Sequence, residues 1–520
     1  MRMDDISRRH LLGIAGLAGL APMSFDGPHG DAGGHGGPDA TEAPGPGQPA
    51  ARSEQTQVIT GRFEPGAPDW AYLPVEIPRG VREISVRYEY NRPTAGPNQQ
   101  PNVLDIGCFD PRGHGLGEAA GFRGYSGGAR DSFTISAGAA TPGYLPGPIL
   151  PGSWQILLGP YTVHPSGLDY RVEVTVRYGR PERPFRPDPA PTRATGRGRA
   201  WYRGDLHTHT VHSDGKRTPE QLAAAARGRG LDFLVSSEHN TVSAHGVWGA
   251  PAGTDLLVLA GEEITTRDGH CVAAGLRPGQ WIDWRYRAAD QEFARFQRQV
   301  HAAGGLLIAA HPYCPFVGCS WKFGYDGIDA VEVWNGPWTL DDDYAVRLWD
   351  SMLRQGRRLT AVGSSDCHSL ENVVGLPMTA VRADGLDREA ILAGVRGGHA
   401  YVSESAQVGM DLTARVVPGS DSRAPGAGIG QELRVEAGDT VAVTLTVTGV
   451  PGTVVRLLTE AGVVAERKVP ADTSGPVELV WRSAFTTSGF VRAEVRRPVA
   501  TETTPDTMVA LCNPVHVRVG

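Results

Sequence analysis

Short apolar runs alternate with amphipathic stretches through the middle of the chain. Thr218 is a suitable N-cap for the first of the predicted helices, because Pro219 then occupies the first helical position. About seven strands that alternate with helices predict an irregular βα barrel over 200–405. The predicted strands lie at about 204–208, 231–236, 256–260, 271–276, 306–310, 328–334 and 359–363. The predicted helices lie at 219–229, 288–303, 340–355 and 388–394.

Strictly alternating patterns flank this region and predict two β-sandwiches. In 53–180, the stretches 81–88 and 170–176 alternate apolar and polar residues, and clusters of Gly and Pro separate the runs. The pattern returns in 406–520, which resembles a small immunoglobulin-like sandwich. A linker rich in Pro and Arg, 181–199, precedes the barrel. We therefore expect a multidomain chain, α/β plus all-β, in which two sandwiches flank the barrel.

The N-terminus carries an export pattern. Residues 1–25 match a twin-arginine signal, with Arg8 and Arg9 ahead of an apolar stretch that is too short to span a membrane in the mature protein. Residues 26–52 are rich in Gly and Pro and are expected to be disordered. We expect the twin-arginine machinery to export the protein to a periplasmic, cell-surface or extracellular location.

Length and charge narrow the class of protein. A chain of 520 residues suggests about three domains. The net charge of −7 and a charged fraction of 21% leave no basic excess, so no nucleic-acid partner is expected. The sequence does not indicate an oligomeric state.

Residues that can bind metals cluster at the ends of the predicted strands. His207 and His209 are two apart, so on a strand they point to the same side. The C-terminal ends of parallel strands meet on one face, where metals and ligands bind. A scatter of core histidines would not follow strand ends in this way. The candidates are His207, His209, Asp214, His239, Glu262 or Glu263, His270, His311, Asp366 and His368.

The order of these motifs resembles a known family. DLHTHT, the following Asp214, and then EHN, GEEIT, AHP and SDCH are similar to the polymerase and histidinol phosphatase (PHP) superfamily of metallohydrolases. The resemblance covers about 200–405 and implies a distorted (β/α)7 barrel. The flanking regions suggest the exported branch that includes arylcarbamate hydrolases.

The resemblance also implies how the ligands are shared among three metal positions. Glu263 is chosen over Glu262 by the family register, and Glu238 stands where the family usually has Asp. The implied sets are His207, His209, Glu263 and Asp366; Glu263 as a bridge with His270 and His311; and Asp214, His239 and His368.

A mixed set of imidazoles and carboxylates suits zinc, manganese or iron. We expect two or three divalent ions and a metal-bridging hydroxide as the nucleophile, with no catalytic residue beyond the metal ligands. The leading hypothesis is an exported phosphoesterase acting on a small-molecule ester, because PHP proteins most often cleave phosphate esters. The alternatives are a carbamate or carboxyl ester hydrolase with the same metal site, and a non-catalytic glycan-binding protein with structural metals.

Several further residues are weaker candidates. Lys322 could meet an anionic substrate, and Asn335 ends a predicted strand on the ligand face. Glu238 could orient a neighbouring imidazole. Cys314 and Cys319 are spaced to close a short loop, but the sequence alone assigns no disulfide.

Overall fold

The computed structural model describes residues 53–96, 99–417, 426–499 and 506–520. The predicted signal segment and the Gly/Pro-rich linker that follows it lie outside these residues. Within them, no helix is long and apolar enough to cross a membrane.

The N-terminal part forms two antiparallel sheets, in the strand orders β1-β8-β3-β6 and β2-β7-β4-β5. Alternation places Val172, Val174 and Val176 of one face in the core. The strands are β1 (Glu54–Phe63), β2 (Ala71–Ile77), β3 (Val81–Tyr90), β4 (Val103–Phe109), β5 (Phe122–Gly127), β6 (Ser132–Ser136), β7 (Gly152–Thr162) and β8 (Leu168–Tyr178).

The middle part contains strands and the helices that follow some of them. Its strands are β9 (Ala200–Thr208), β10 (Phe233–Ser236), β11 (Leu257–Thr266), β12 (Gly269–Ala274), β13 (Leu306–Ala309), β14 (Ala330–Asn335), β15 (Thr360–Ser364), β16 (Met378–Ala383) and β17 (Ala400–Ser403). Its helices are α1 (Pro219–Gly228), α2 (Gly249–Ala252), α3 (Phe293–Ala302), α4 (Leu340–Arg354) and α5 (Arg388–Arg396).

Two of the sequence predictions need correction here. The helix predicted at 288–303 begins only at Phe293, because Gln291 adopts a left-handed conformation (φ 62°) that ends the short turn before it. Strands β16 and β17 were not predicted. The predicted cap of α1 is confirmed, since Thr218 and Gln221 form a reciprocal capping box.

The sheet of the middle part is mixed. Strands β9, β10 and β11 run parallel, and so do β13, β14 and β15, but β12 is antiparallel to both of its neighbours. The segment that follows β15 lies beside the end of β9. There the Asp366 amide donates a hydrogen bond to the His207 carbonyl at 2.9 Å. The described chain is mostly β with few helices, so the predicted distorted (β/α)7 barrel is not confirmed.

The C-terminal strands continue this sheet, because β26 pairs with β17 in an antiparallel ladder. A separate sheet has the order β19-β18-β21-β24. The strands are β18 (Gly409–Val416), β19 (Gly426–Gly428), β20 (Glu432–Val435), β21 (Thr440–Thr448), β22 (Val454–Thr459), β23 (Gly462–Lys468), β24 (Val477–Ala484), β25 (Gly489–Arg497), β26 (Thr507–Cys512) and β27 (Val515–Val519).

Aromatic packing joins the N-terminal sheets to the middle part. Phe122 of β5 stacks on Trp281 with ring centroids 4.2 Å apart, and Tyr125 packs on Trp284 at 4.5 Å. Arg267 donates from its guanidinium to the Pro160 carbonyl at 2.8 Å. The described residues accordingly form one compact unit, and the sheets support the elements that carry the candidate ligands.

Candidate metal centre

The first group of ligands lies at the end of β9. His207 and His209 are buried and point to the same side, as the strand alternation predicts. Nε2 of His207 lies 3.3 Å from Oε2 of Glu263 and 3.3 Å from Oδ1 of Asp366. Nε2 of His209 lies 3.0 Å from the same Asp366 oxygen. These four side chains therefore converge on one small volume.

Glu263 faces a second group with its other oxygen. Oε1 lies 2.9 Å from Nδ1 of His270 and 3.4 Å from Nε2 of His311. The antiparallel direction of β12 explains why His270 stands at the start of its strand, whereas the other ligands follow strand ends. Glu263 therefore directs one carboxylate oxygen at the first group and the other at the second group. This arrangement is suited to bridging two metal positions.

Glu262 faces the opposite side of β11. Its Oε2 accepts a hydrogen bond from the Ile282 amide at 2.8 Å. Successive residues of a strand point to opposite faces, so only one of the two glutamates can enter the site. The geometry agrees with the choice of Glu263.

The third group comprises Asp214, His239 and His368. Oδ1 of Asp214 lies 3.5 Å from Nε2 of His239 and 3.3 Å from Nε2 of His368. His209 also lies within reach of these three, so their ligand atoms and that of His209 all fall within 4.8 Å of one another. The structure thus brings together all nine predicted ligands, and their division among individual ions stays a prediction.

Buried polar atoms without partners provide a test of whether metals fit this site. Buried polar groups are almost always hydrogen-bonded, and each orphan costs free energy. Divalent cations would satisfy these atoms, and the donor set of imidazole nitrogens and carboxylate oxygens suits them. Among the described residues, the buried atoms of the cluster that lack a hydrogen-bond partner are Nδ1 and Nε2 of His207, Nε2 of His209, Oδ1 of Asp214, Oε2 of Glu263, Nε2 of His270 and Oδ1 of Asp366.

The electrostatics of the cluster are those of a site built around positive charge. Burial raises the pKa of Glu263, but the surrounding imidazoles, His239 and His207 foremost, outweigh it and hold the pKa well below its usual range. Burial lowers the pKa of His368, yet Asp366 and Asp214 raise it to about 10. These carboxylates therefore favour their ionised form, which is the form that binds a cation.

The pKa of His209 is shifted in the opposite direction from that of His368. Its burial lowers the pKa, and the adjacent His368 and His239 imidazoles lower it further, to about 3. The ring is neutral at ordinary pH, and a neutral imidazole is the form that binds metals.

Two ligands have strained backbones. His311 has φ 26° and Asp366 has φ 46°, values that residues with a Cβ rarely adopt. Such conformations persist only where the surrounding structure imposes them, and they concentrate at functional sites. The strain supports a role for these two positions beyond packing.

Glu332 is a residue of the site that the sequence analysis missed. Its Oε1 lies 3.4 Å from Nδ1 of His207, and its Oε2 accepts hydrogen bonds from the His311 amide at 3.0 Å and from Asn335 Nδ2 at 2.9 Å. Glu332 thus contacts the ring of His207 and holds the backbone of His311. The available signal was an acidic residue inside an otherwise apolar strand, VEVWN.

The three weaker candidates have different positions. Asn335 lies at the site and donates to Oδ2 of Asp366 at 3.3 Å. Glu238 is buried and accepts from Ser213 Oγ at 2.6 Å, while the same hydroxyl lies 3.4 Å from Nδ1 of His209. Lys322 is not brought to the site, because its Nζ pairs with Asp268 at 3.0 Å on the surface.

A disulfide joins Cys314 to Cys319 in the segment after His311. Sγ of Cys319 lies 3.4 Å from Nδ1 of His311, so the bridged loop packs directly on a candidate ligand. Cys367, between two ligands, is a buried free cysteine. The disulfide closes the short loop that the spacing of Cys314 and Cys319 allows.

A cavity of about 340 Å³ opens beside these groups. Ligands from all three groups reach it, together with the disulfide loop and the first turn of α4. A small molecule could therefore approach the ligands from solvent. The residues that line it include His239, His270, His311, Asp366 and His368, then Tyr313, Phe316, Glu332, Asn335, Asp341 and Asp342.

Comparisons with known proteins give modest similarities. No protein-family profile matches the chain, and no curated protein matches it. It is similar to a two-domain protein of Bacteroides vulgatus that contains a predicted PHP-like metal-dependent phosphoesterase, with a TM-score of 0.36 and 18% identity over 64% of this chain and 99% of that one.

Two further solved structures are similar over smaller parts. One is a protein of Bifidobacterium adolescentis assigned as a metal-dependent phosphoesterase, with a TM-score of 0.26 and 21% identity over 36% of this chain and 92% of that one. The other is an amidohydrolase from Chromobacterium violaceum, with a TM-score of 0.25 and 18% identity over 33% and 89%. These scores are too low for the overall likeness to carry a function. The order of its sequence motifs is the feature in which the chain resembles the PHP superfamily of metallohydrolases.

Proposed function

We propose that this protein is a metal-dependent hydrolase. The observation that carries the proposal is the set of buried, unpartnered atoms of candidate ligands, two of which, on His270 and Asp366, belong to residues that line a cavity. A purely structural metal site closes its coordination with protein groups, whereas a catalytic site leaves a position open to substrate. Here the ligands His239, His270, His311, Asp366 and His368 all reach the cavity wall.

The metal positions would use the side chains already grouped by the geometry. Glu263 would bridge the group of His207, His209 and Asp366 to that of His270 and His311, and the remaining three ligands would hold a third position. Zinc, manganese or iron in two or three of these positions would supply Lewis acidity and lower the pKa of water. The identity and number of ions are part of the proposal.

The surrounding residues would hold this arrangement. Glu332 accepts from the His311 amide and lies beside His207, so it restrains ligands of two groups at once. Asn335 donates to Asp366 and Glu332, which leaves the other carboxylate oxygen of Asp366 directed at the imidazoles. Such partners commonly raise metal affinity by fixing ligand orientation.

A phosphate ester is the leading substrate class, because the motifs resemble a superfamily that most often cleaves phosphate esters. A carbamate or carboxyl ester is the second candidate. It is favoured by the cavity wall, which among the described residues contains carboxylates but no Arg or Lys to receive a phosphate. Export by the twin-arginine route is proposed from the motif at Arg8 and Arg9 alone.

Metal content and hydrolysis, measured together on purified protein, test the proposal. Mass spectrometry would count the ions, and p-nitrophenyl phosphate, bis-p-nitrophenyl phosphate and 1-naphthyl N-methylcarbamate would be assayed before and after chelation. We expect two or three ions and turnover that is lost on chelation and restored by added metal. Phosphoester turnover supports the leading substrate class, and carbamate turnover alone supports the second.

His207→Gln should lose metal and turnover, whereas His399→Gln, which changes a half-buried histidine outside the site, should keep both. Absence of turnover with every substrate after supply of manganese, iron and zinc would overturn the hydrolase proposal. The non-catalytic glycan-binding alternative would then remain.

A further inference from the structure

An apolar rim stands over the cavity. We use this name for Tyr313, Phe316 and Val317, which are 43%, 63% and 55% exposed. Exposing large apolar side chains together is unfavourable unless they meet a partner or ligand. Tyr313 and Phe316 line the cavity itself, so a molecule bound there would cover them.

The rim is held in place from two sides. The disulfide Cys314–Cys319 closes the loop that carries Phe316 and Val317. The ring of Tyr313 packs against that of Tyr344 in α4, with centroids 5.8 Å apart. A restrained aromatic surface loses little side-chain entropy when it binds an apolar group.

Apart from its histidines, the wall carries acidic groups. Glu332 is hydrogen-bonded within the wall, and Asp342 accepts from the Asn335 and Thr339 amides at 2.9 and 2.6 Å. Asp341 is half-buried in the first turn of α4 and also lines the cavity. Among the described lining residues no Arg or Lys balances these carboxylates.

We propose that Tyr313, Phe316 and Asp341 determine which leaving group the enzyme accepts, selecting an apolar group that is neutral or cationic and rejecting an anionic one. The inference rests on the proposed hydrolase function and adds the class of substrate. The scissile group would sit against the metal ligands at the base, and the leaving group would then lie between the rim and α4.

Two physical effects produce this selectivity. Apolar area on the leaving group is removed from water when it covers Phe316 and Tyr313, which favours aromatic and branched groups. A negative charge on the leaving group would be repelled by the Asp341 carboxylate, whereas a cation would be attracted to it and to the faces of the rim rings.

A series of esters with one scissile group and three leaving groups tests the proposal. Suitable leaving groups are phenols with a 4-hydroxymethyl, a 4-trimethylammoniomethyl or a 4-carboxymethyl substituent, joined as acetates and as methyl phosphodiesters. In whichever series is turned over, we expect kcat/KM for the neutral and cationic members to exceed that of the anionic member by about 10-fold.

Substitutions then assign the selectivity to residues. Asp341→Asn should reduce the preference for cation over anion by about 3- to 10-fold, with little change for the neutral ester. Phe316→Ser and Tyr313→Ser should lower kcat/KM for all three esters and leave metal content unchanged. Asp472→Asn and Val463→Ser, exposed residues elsewhere, are the matched controls and should change nothing.

Binding of the released phenols gives a readout independent of turnover. Ligand-observed NMR on chelated protein should detect the trimethylammonio phenol, with a signal weakened by Phe316→Ser. Metal-dependent turnover with equal or greater preference for the anionic ester would overturn the leaving-group proposal and leave the hydrolase function standing. Absence of turnover with every member of the series would overturn the leaving-group proposal. Absence of turnover with the p-nitrophenyl phosphates and the naphthyl carbamate as well would overturn the hydrolase function too.

Discussion

Oε2 of Glu263 lies 3.3 Å from Nε2 of His207, and neither atom has a hydrogen-bond partner among the described residues. A close approach that is not aligned as a hydrogen bond suits two ligands of one cation. Because Glu263 also contacts His270 and His311, its carboxylate links two ligand groups. The centre should depend on this side chain more than on any single imidazole.

Glu263→Gln is expected to lose at least one ion per chain and to lower kcat/KM by more than about 100-fold, because the amide cannot bridge as a carboxylate does. Mass spectrometry and steady-state kinetics measure the two effects. Glu262→Gln is a matched control, because Glu262 faces the opposite side of β11 and burial raises its pKa well above its usual range. Equal losses in both variants would show that the bridge assignment is wrong.

Glu332→Gln should weaken metal binding by about 10- to 100-fold while leaving all nine ligands in place. The expected cause is poorer orientation of His207 and His311, which Glu332 contacts. Competition with a fluorescent chelator measures the affinity. Glu466→Gln, at an exposed position of β23, should bind metal as the unaltered protein does. An unchanged metal affinity of Glu332→Gln would show that Glu332 does not support the candidate ligands.

Arg492 should be a major contributor to stability between α4 and β25. Its buried guanidinium pairs with Asp350 at 2.7 Å and with Glu494 at 2.6 Å. Arg492→Met leaves Asp350 paired only with Arg354 and Glu494 paired only with Arg496. We expect a loss of about 3 kcal/mol in the free energy of unfolding by urea. Arg497→Met breaks an exposed pair with Glu404 and should cost less than about 1 kcal/mol.

The same network predicts a pH dependence. Burial raises the pKa of Glu494, but Arg492 and Arg496 outweigh it and lower the pKa to about 2. A depressed carboxyl pKa contributes stability that is present above the unfolded value, near 4.3, and is lost as pH falls through the folded value.

Glu494→Gln should therefore be less stable than the unaltered protein at pH 6, and the difference should shrink as pH falls from about 4.3 toward 2. Urea unfolding at pH 6, 4 and 3 measures it. A difference that stays constant over this interval would mean that Glu494 does not titrate as the ion pairs indicate.

Much of the site was predictable from local sequence. The motifs DLHTHT, EHN, GEEIT, AHP and SDCH contain seven of the nine residues that the structure brings together. The other two are Asp214, which follows DLHTHT, and His270, which opens a short apolar run. The alternation of a strand also determined that His207 and His209 share a side. The helix start at Thr218 was equally local, since a cap and its partner lie three residues apart.

Other features depended on contacts between distant segments, and the tertiary structure alone decided them. His270 is at the start of β12, and the antiparallel direction of this strand brings it to the same side as candidate ligands that follow the ends of other strands. The position of Glu332 beside His207 required β14 to lie across the sheet from β9. No local pattern encodes which strands meet, so the sequence by itself determined only the candidate ligands. The fold decided their neighbours, the disulfide loop and the apolar-rimmed cavity beside them.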